Sequence, residues 1–381
     1  MLTVLDLGPD PRERGLAHGR AMPRQIADNV ETYLARFEES GSKRDTVLEQ
    51  GEAWADLIKR DNPEYAVEMG GIAEGARLSL GEIGMLNARY EITYCLFASE
   101  AETANRGLMP EQEGCTSFGL LPEATKDGHT VMGQNWDWLE RVYGRTFIMR
   151  VKRSETFGEG QPSFIGFTEA GIAGCKVGLN TAGIGLCVNG IVTAREGANP
   201  FRKPFHVRCR EILDAWAFDK ALLPVIENDR TCSSNFVIGH ADGEIIDIEA
   251  TPDFYSLIHP DDGMLTHANH LLKETRVKSE FERISPSTLF RSARLDRLLR
   301  KHHGRLDLEL IKQCLGDRFS APMAICRTAD PKVPAAKRTI TVATIVLDLT
   351  ERILYASDGP LTQAPLQSFT LDAARQSEMA A

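Results

Sequence analysis

The character of the amino-acid sequence changes once, between residues 98 and 115, and that change limits the fold more than any other feature. From Pro11 to about Ala98 apolar residues recur at three- and four-residue spacing: Ile26, Val30, Tyr33, Leu34 and Phe37, then Trp54, Leu57 and Ile58. This predicts a run of amphipathic helices, with Asn62 before Pro63 marking a fresh start. The stretch from Glu100 to Gly114 is polar, interrupted by Gly107 and Pro110, and reads as a linker. From Cys115 onward the segments shorten to strand length, bounded by Gly, Pro, Asp or Asn: Ser117 to Leu121, His129 to Gln134, Phe147 to Lys152, Ser163 to Phe167 and Gly183 to Ile191.

Beyond these strands, Pro204 to Phe218 and Asp219 to Glu227 read as two covering helices. Asn235 to Ile248 reads as a hairpin about Ala241-Asp242-Gly243, and Ser287 to His302 as an amphipathic helix. Thr339 to Leu349 alternates as a strand before a last hairpin ending near Asp358. Strands, helices and strands again imply an α+β protein with sheets stacked between helical layers. Its division is a helical region, 1–114, packed on a strand-rich region, 115–381, in one integrated domain.

Composition narrows the partners. A net charge of -10 repels polyphosphate, and the basic residues from Arg294 to Arg305 are broken by apolar ones as on a solvated helix, so nucleic acid is not expected. Met1 to Pro9 lacks the basic, then apolar, pattern of a secretory signal, and no apolar run is long enough to span a bilayer. Eight cysteines without CxxC pairs, several inside apolar segments (Cys95, Cys175, Cys187, Cys209), point to reduced thiols and a cytoplasmic protein.

There is no GxSxG elbow, HExxH, Walker loop or GxGxxG after a strand. His267 and His270 have metal-ligand chemistry but no third ligand at a recognisable spacing, so no metal is expected. Cys115, at the junction of linker and strand, has two readings. It is a small buried hydrophobe, or it is a nucleophile. Gly114 favours the second, because a residue without Cβ leaves its carbonyl open to the neighbouring thiol. Attack there gives a thioester, and water then releases a chain starting at Cys115, whose α-amine, of reference pKa about 7.7 to 8.0, serves as the thiol's base.

Lys126, midway between Cys115 and Asp137, lies in the turn-like Thr125-Lys126-Asp127-Gly128, so an antiparallel hairpin would return Asp137 close to Cys115. Asp137 then either supports the new amine or caps a local turn. The carbonyl oxygen under attack needs a neutral donor, for which Asn269 is the candidate; its other reading is an asparagine bonding its own backbone.

These residues, in this order, resemble the acyl-CoA:6-aminopenicillanic acid acyltransferase family, the autoproteolytic cysteine branch of the N-terminal-nucleophile hydrolases. The resemblance runs through GLAHG (Gly15 to Gly19), GIAEGA (Gly71 to Ala76), MLNA (Met85 to Ala88), GCT (Gly114 to Thr116), GQNWDW (Gly133 to Trp138), TEAG (Thr168 to Gly171), KVGLN (Lys176 to Asn180), HANH (His267 to His270) and ICR (Ile325 to Arg327). It implies an αββα four-layer sandwich, cleavage between Gly114 and Cys115, and acyl transfer through a thioester on Cys115. It also implies that the fragments before and after the cut stay associated. Cys115 would be the nucleophile, Asn269 the oxyanion donor, and Asp137 with Arg338 the pair assisting maturation. Ser117, Thr251 and Arg327 match supporting positions. The substrate would be a small acyl amide or acyl thioester, with no cofactor and acyl-CoA as a co-substrate. Lys337 stands where the fungal penicillin enzymes carry serine, a departure from that specific substrate. The competing expectation is an uncut small-ligand-binding protein on the same fold.

Overall fold

The computed structural model describes residues 2–103, 114–227 and 229–372. Strand β1 (Thr3–Leu7) precedes helices α1 (Pro11–Ala21), α2 (Pro23–Glu39), α3 (Arg44–Asp61), α4 (Pro63–Ala76), α5 (Leu80–Asn87) and α6 (Arg89–Thr103). Next come strands β2 (Gly114–Leu120), β3 (Val131–Leu139), β4 (Thr146–Val151), β5 (Phe164–Glu169), β6 (Val177–Asn180) and β7 (Ile184–Gly190). Helices α7 (Phe205–Leu213) and α8 (Phe218–Ile226) lead into β8 (Ser234–His240), β9 (Glu244–Ala250), β10 (Tyr255–Ile258) and β11 (Met264–His267). Helices α9 (Phe281–Ile284), α10 (Thr288–Arg300) and α11 (Leu308–Leu315) precede β12 (Thr339–Asp348), β13 (Ile353–Ala356) and β14 (Gln367–Thr370).

Two sheets form, ordered β1-β4-β5-β6-β7-β8-β9-β10 and β11-β2-β3-β12-β13-β14. They stack, with β2 and β3 of one against β7 of the other. Helices α7 and α8 cover the outer face of the eight-stranded sheet, and α10 covers the outer face of the six-stranded sheet over β11 and β2, with α11 beside it. This is the expected αββα sandwich. Strand β2 illustrates why the layers bury it twice. Cys115 belongs to the core between the sheets, whereas Phe118 and Leu120 belong to a second core with Leu295, Leu299 and Ile311 beneath α10 and α11. A strand buried on both faces reads as continuous rather than alternating apolar sequence.

The N-terminal helices are held by close packing and by buried charge. Asp10 caps α1 through its Oδ1, 2.8 Å from the Glu13 amide. A Cβ at Gly15 would lie 2.1 Å from the Glu68 carbonyl oxygen, and one at Gly71 2.5 Å from that of Arg12. The glycines of GLAHG and GIAEGA therefore let α1 and α4 touch backbone to backbone. Glu68 then receives Arg14 of α1 at 2.7 Å and Arg210 of α7 at 3.3 Å, joining the region before residue 114 to the helical layer after it.

Helix α6 continues to Thr103, past the predicted end at residue 98; of the predicted linker, residues 104–113 lie outside the described residues, and Gly114 already belongs to β2. The region before residue 114 is not purely helical, because β1 pairs in parallel with β4 and extends the larger sheet. The helix predicted over 204–218 ends at Leu213, and a second begins at Phe218.

Candidate active site

Cys115 is the second residue of β2, and its neighbours follow from pairing register. In the β2–β3 ladder Gly114 is opposite Asp137 and Cys115 is opposite Trp136. Opposed residues project to the same face of a sheet and successive ones to opposite faces. Cys115, Ser117, Trp136 and Trp138 therefore look toward the other sheet, and Gly114, Thr116 and Asp137 toward α10. The expected proximity of Asp137 to Cys115 holds, shifted by one residue: the carboxylate is on the side of Gly114, not of the thiol.

On the other edge of β2, β11 pairs Thr266 with Phe118 and His267 with Ser117. Continuing that register by two residues brings Asn269 to Cys115. There its side chain replaces the ladder, Oδ1 accepting the Cys115 N–H at 2.8 Å. Its Nδ2 donates to the Gly190 carbonyl at 2.9 Å, and its own N–H donates to Thr288 Oγ1 at 2.8 Å, fixing the amide.

Two buried arginines flank this peptide group. Arg291 of α10 donates through Nη2 to Asn269 Oδ1 at 2.7 Å, and through Nη1 to Thr116 Oγ1 at 2.7 Å and to the Cys115 carbonyl. Arg327 lies with Nε 3.6 Å from Asp137 Oδ2, both side chains fully buried. Thr341 connects them, its hydroxyl donating to Asp137 Oδ1 at 2.6 Å and accepting the Arg327 N–H at 2.8 Å. Burial pushes the Asp137 carboxyl up, against the downward pull of Arg327 and Arg291. Burial, with Arg327 nearby, lowers Arg291 to about 10. A Cβ on Gly114 would stand 2.6 Å from Arg327 Nη2 and 3.1 Å from Arg291 Nη2.

The thiol side carries a different charge cluster. Lys176 places Nζ 3.1 Å from the centre of the Trp136 ring and donates to Glu169 Oε1 at 2.8 Å. Arg89 pairs with the same carboxylate, and Tyr33 donates to its other oxygen at 2.5 Å. Two cations thus share one anion. Burial opposes ionisation of Glu169, yet Arg89 and Lys176 bring it down to about 2. Burial lowers Lys176 to about 8, because Glu169 only partly offsets it and Arg89 repels it. Cys115 is within electrostatic reach of both Lys176 and Arg291. It is 6% exposed.

The remaining predicted residues divide. Ser117 donates to Asn189 Oδ1 at 2.6 Å, tying β2 to β7 on the thiol's side. Arg338 is not part of this cluster: its Nε donates to the Val333 carbonyl at 2.8 Å, and its nearest carboxylate is Glu140 at 3.9 Å. Arg327, expected only as a supporting residue, takes the place beside Asp137. Thr251 holds a turn, its hydroxyl accepting the Phe254 N–H at 3.1 Å. His267 bridges Glu249 Oε1 at 3.0 Å and the Ala268 carbonyl at 2.9 Å, while His270 meets Thr288 Oγ1 at 3.0 Å. Both imidazoles are thus engaged in the protein framework.

Arg291 and Lys176 were not among the predicted site residues. For Arg291 a signal existed: it precedes Leu295 and Leu299 at four-residue steps, on the buried stripe of α10, and is itself 0% exposed. A charged residue at an apolar position of an amphipathic helix demands a partner.

Residues 124–359 match the family described as Acyl-coenzyme A:6-aminopenicillanic acid acyl-transferase, a stretch that takes in Asp137, Asn269, Arg291 and Arg327. The chain is 27% identical over 319 residues to the acyl-coenzyme A:6-aminopenicillanic-acid-acyltransferase 40 kDa form of Emericella nidulans, covering 83% of this chain and 82% of that protein. It is 26% identical over 263 residues to protein dcd1A of Dictyostelium discoideum, covering 61% of this chain and 54% of that one. Among solved structures, conjugated bile acid hydrolase from Clostridium perfringens superposes with a TM-score of 0.46 at 13% identity, covering 68% of this chain and 93% of that one. The chain belongs to the acyl-coenzyme A:6-aminopenicillanic acid acyl-transferase family.

Proposed function

We propose that this chain is a self-cleaving N-terminal-nucleophile enzyme that moves acyl groups between small molecules through a thioester on Cys115. The observation that carries the reading is the Cys115 amide held by Asn269 Oδ1 at 2.8 Å, directly after a glycine wedged against two buried guanidinium groups. Such buried polar groups are costly unless they serve a purpose at the peptide they enclose.

In maturation the Cys115 sulfur attacks the Gly114 carbonyl carbon. The C–S bond forms, the C–N bond breaks, and the thiol proton passes to the Cys115 nitrogen. Water then hydrolyses the thioester, giving a Gly114 carboxylate and restoring the thiol. Asp137 faces Gly114, where a carboxylate supports the nascent ammonium, and Arg327 with Thr341 orients that carboxylate. In turnover the α-amine accepts the thiol proton, Cys115 takes an acyl group from an amide or from acyl-CoA, and water or an amine releases it. Asn269 Nδ2 carries a second N–H, which this reading aims at the oxyanion. Lys176 and Arg291 are cations within electrostatic reach of the thiolate that turnover would form. No cofactor is required by these steps. The fragments before and after the cut remain associated through the β1–β4 pairing and the Glu68 ion pairs.

The substrate class is tested by incubating the protein with a panel of acyl amides and acyl-CoA thioesters, with and without hydroxylamine. Acyl hydroxamate together with an acyl mass on the Cys115 peptide is the expected result. Free acid regardless of acceptor would assign hydrolysis alone. Absence of any acyl-Cys115 species across the panel would favour the uncut ligand-binding reading.

A further inference from the structure

Two cysteines outside the active site stand on opposite sides of the proposed cut. Cys95 is in α6 and partly exposed, whereas Cys232 precedes β8 and is 4% exposed. Their sulfurs are 3.6 Å apart. The segments carrying them are fixed against each other. Tyr90 and Tyr94 of α6 stack at 3.9 Å, Tyr90 stacks on Phe205 at 4.0 Å, and the Tyr90 hydroxyl donates to the Ser233 carbonyl at 2.7 Å. Cys232 Sγ also donates to the Glu91 carbonyl of α6 at 3.5 Å.

We propose that Cys95 and Cys232 form a disulfide on exposure to a small-molecule disulfide, and that this bond covalently joins the two fragments of the processed protein. The sulfurs must close from 3.6 Å to a bond of about 2.0 Å. Cys95, the more accessible thiol, attacks the oxidant as thiolate and releases one small thiol. Cys232 then displaces the second, its proton passing to the departing thiolate. The protein loses two hydrogens and the oxidant becomes two thiols. Burial and the adjoining Cys95 hold the Cys232 thiol well above its usual pKa, so Cys232 acts as the resolving partner. The location of the link makes it consequential. Cys95 lies in the helix that leads toward the cut, and a bond there ties the shorter fragment to the sandwich even when the packing between them is lost.

That the bond joins two fragments rests on the proposed cleavage; that it forms does not. The test treats full-length protein with oxidised glutathione, blocks remaining thiols, and maps peptides without reductant, using wild type, Cys95→Ser, Cys232→Ser and Cys115→Ala. A Cys95–Cys232 cross-linked peptide is expected in wild type and Cys115→Ala and in neither serine variant. In processed wild type the two fragments should co-migrate in denaturing gels until reductant is added. A glutathione adduct confined to Cys95, or two thiols that remain alkylatable, would overturn the proposal. Should the chain stay uncut, the same linked peptide appears within one polypeptide, and only the cleavage reading fails.

Discussion

Gly114 and Asp137 face each other across the β2–β3 ladder, so the carboxylate emerges on the opposite face of the sheet from the Cys115 thiol. The division has a chemical consequence. In the proposed cleavage Asp137, with Arg327 and Thr341, addresses the Gly114–Cys115 peptide group and the amine it would release. Trp136 and Ser117 share the face of the Cys115 thiol, and Lys176 sits over Trp136. On the proposed mechanism one strand thereby separates the residues assigned to maturation from the side assigned to the acyl group.

Gly114→Ala should block this arrangement sterically. Its Cβ would lie 2.6 Å from Arg327 Nη2, closer than atoms tolerate, so the guanidinium must shift. Overpacking of this kind costs about 1–3 kcal/mol. The variant is expected to fold, with a Tm lowered by several degrees, and to release its fragments at least ~10-fold more slowly, followed by gel densitometry after expression at low temperature.

Arg327 and Arg338 offer a direct contrast. Removing Arg327 leaves buried Asp137 with Arg291 as its remaining cation, a loss of the order of 3–5 kcal/mol for a buried pair, and Arg327→Met should abolish processing and lower stability. Arg338 meets loop carbonyls and Glu140 at 3.9 Å with its side chain 29% exposed. Arg338→Ala should process and turn over as wild type does, within about 0.5 kcal/mol in urea unfolding.

Much of this was legible in the sequence, and the parts that were not have physical reasons. The helix-to-strand change located β2, and the turn at Lys126 brought Asp137 to the correct end of β3, but a hairpin's midpoint fixes register only to within a residue. One residue decides which face a side chain occupies. Strands β6, β10 and β11, four residues each, are too short to display a period of two, and β1 was masked by the helices that follow it. Arg338 matched by its place before a strand; Arg327, inside the buried run from Ala324 to Arg327, is the one that reaches Asp137. Lys176 could not be paired with Glu169 and Arg89 from sequence, since Arg89 is contributed by a distant helix.

The Glu169 cluster makes stability sensitive to acid. Its carboxyl is lowered from 4.5 to about 2 in the folded chain, so its contribution is fully present above pH 4.5 and is lost as pH falls toward 2. The urea midpoint of wild type should therefore decline through that window. Glu169→Gln, which removes the carboxylate that buried Arg89 and Lys176 share, should lose about 3–5 kcal/mol at pH 7 and should lack this part of the acid dependence.

Asn269→Ala removes the acceptor of the Cys115 N–H and the amide assigned to the oxyanion. Protein matured to a free Cys115 amine before assay should show kcat reduced about 10²–10³-fold with KM little changed, the pattern of an interaction made chiefly in the transition state. Steady-state kinetics on the best acyl donor from the panel measures this split.

The most direct measurement is denaturing mass spectrometry of freshly purified, reduced wild type beside Cys115→Ala. Wild type should resolve into two species, one ending at Gly114 and one beginning at Cys115, and Cys115→Ala should remain a single 381-residue chain. A wild-type chain that stays whole while turning over an acyl donor, or a Cys115→Ala chain cut at the same bond, would contradict the account.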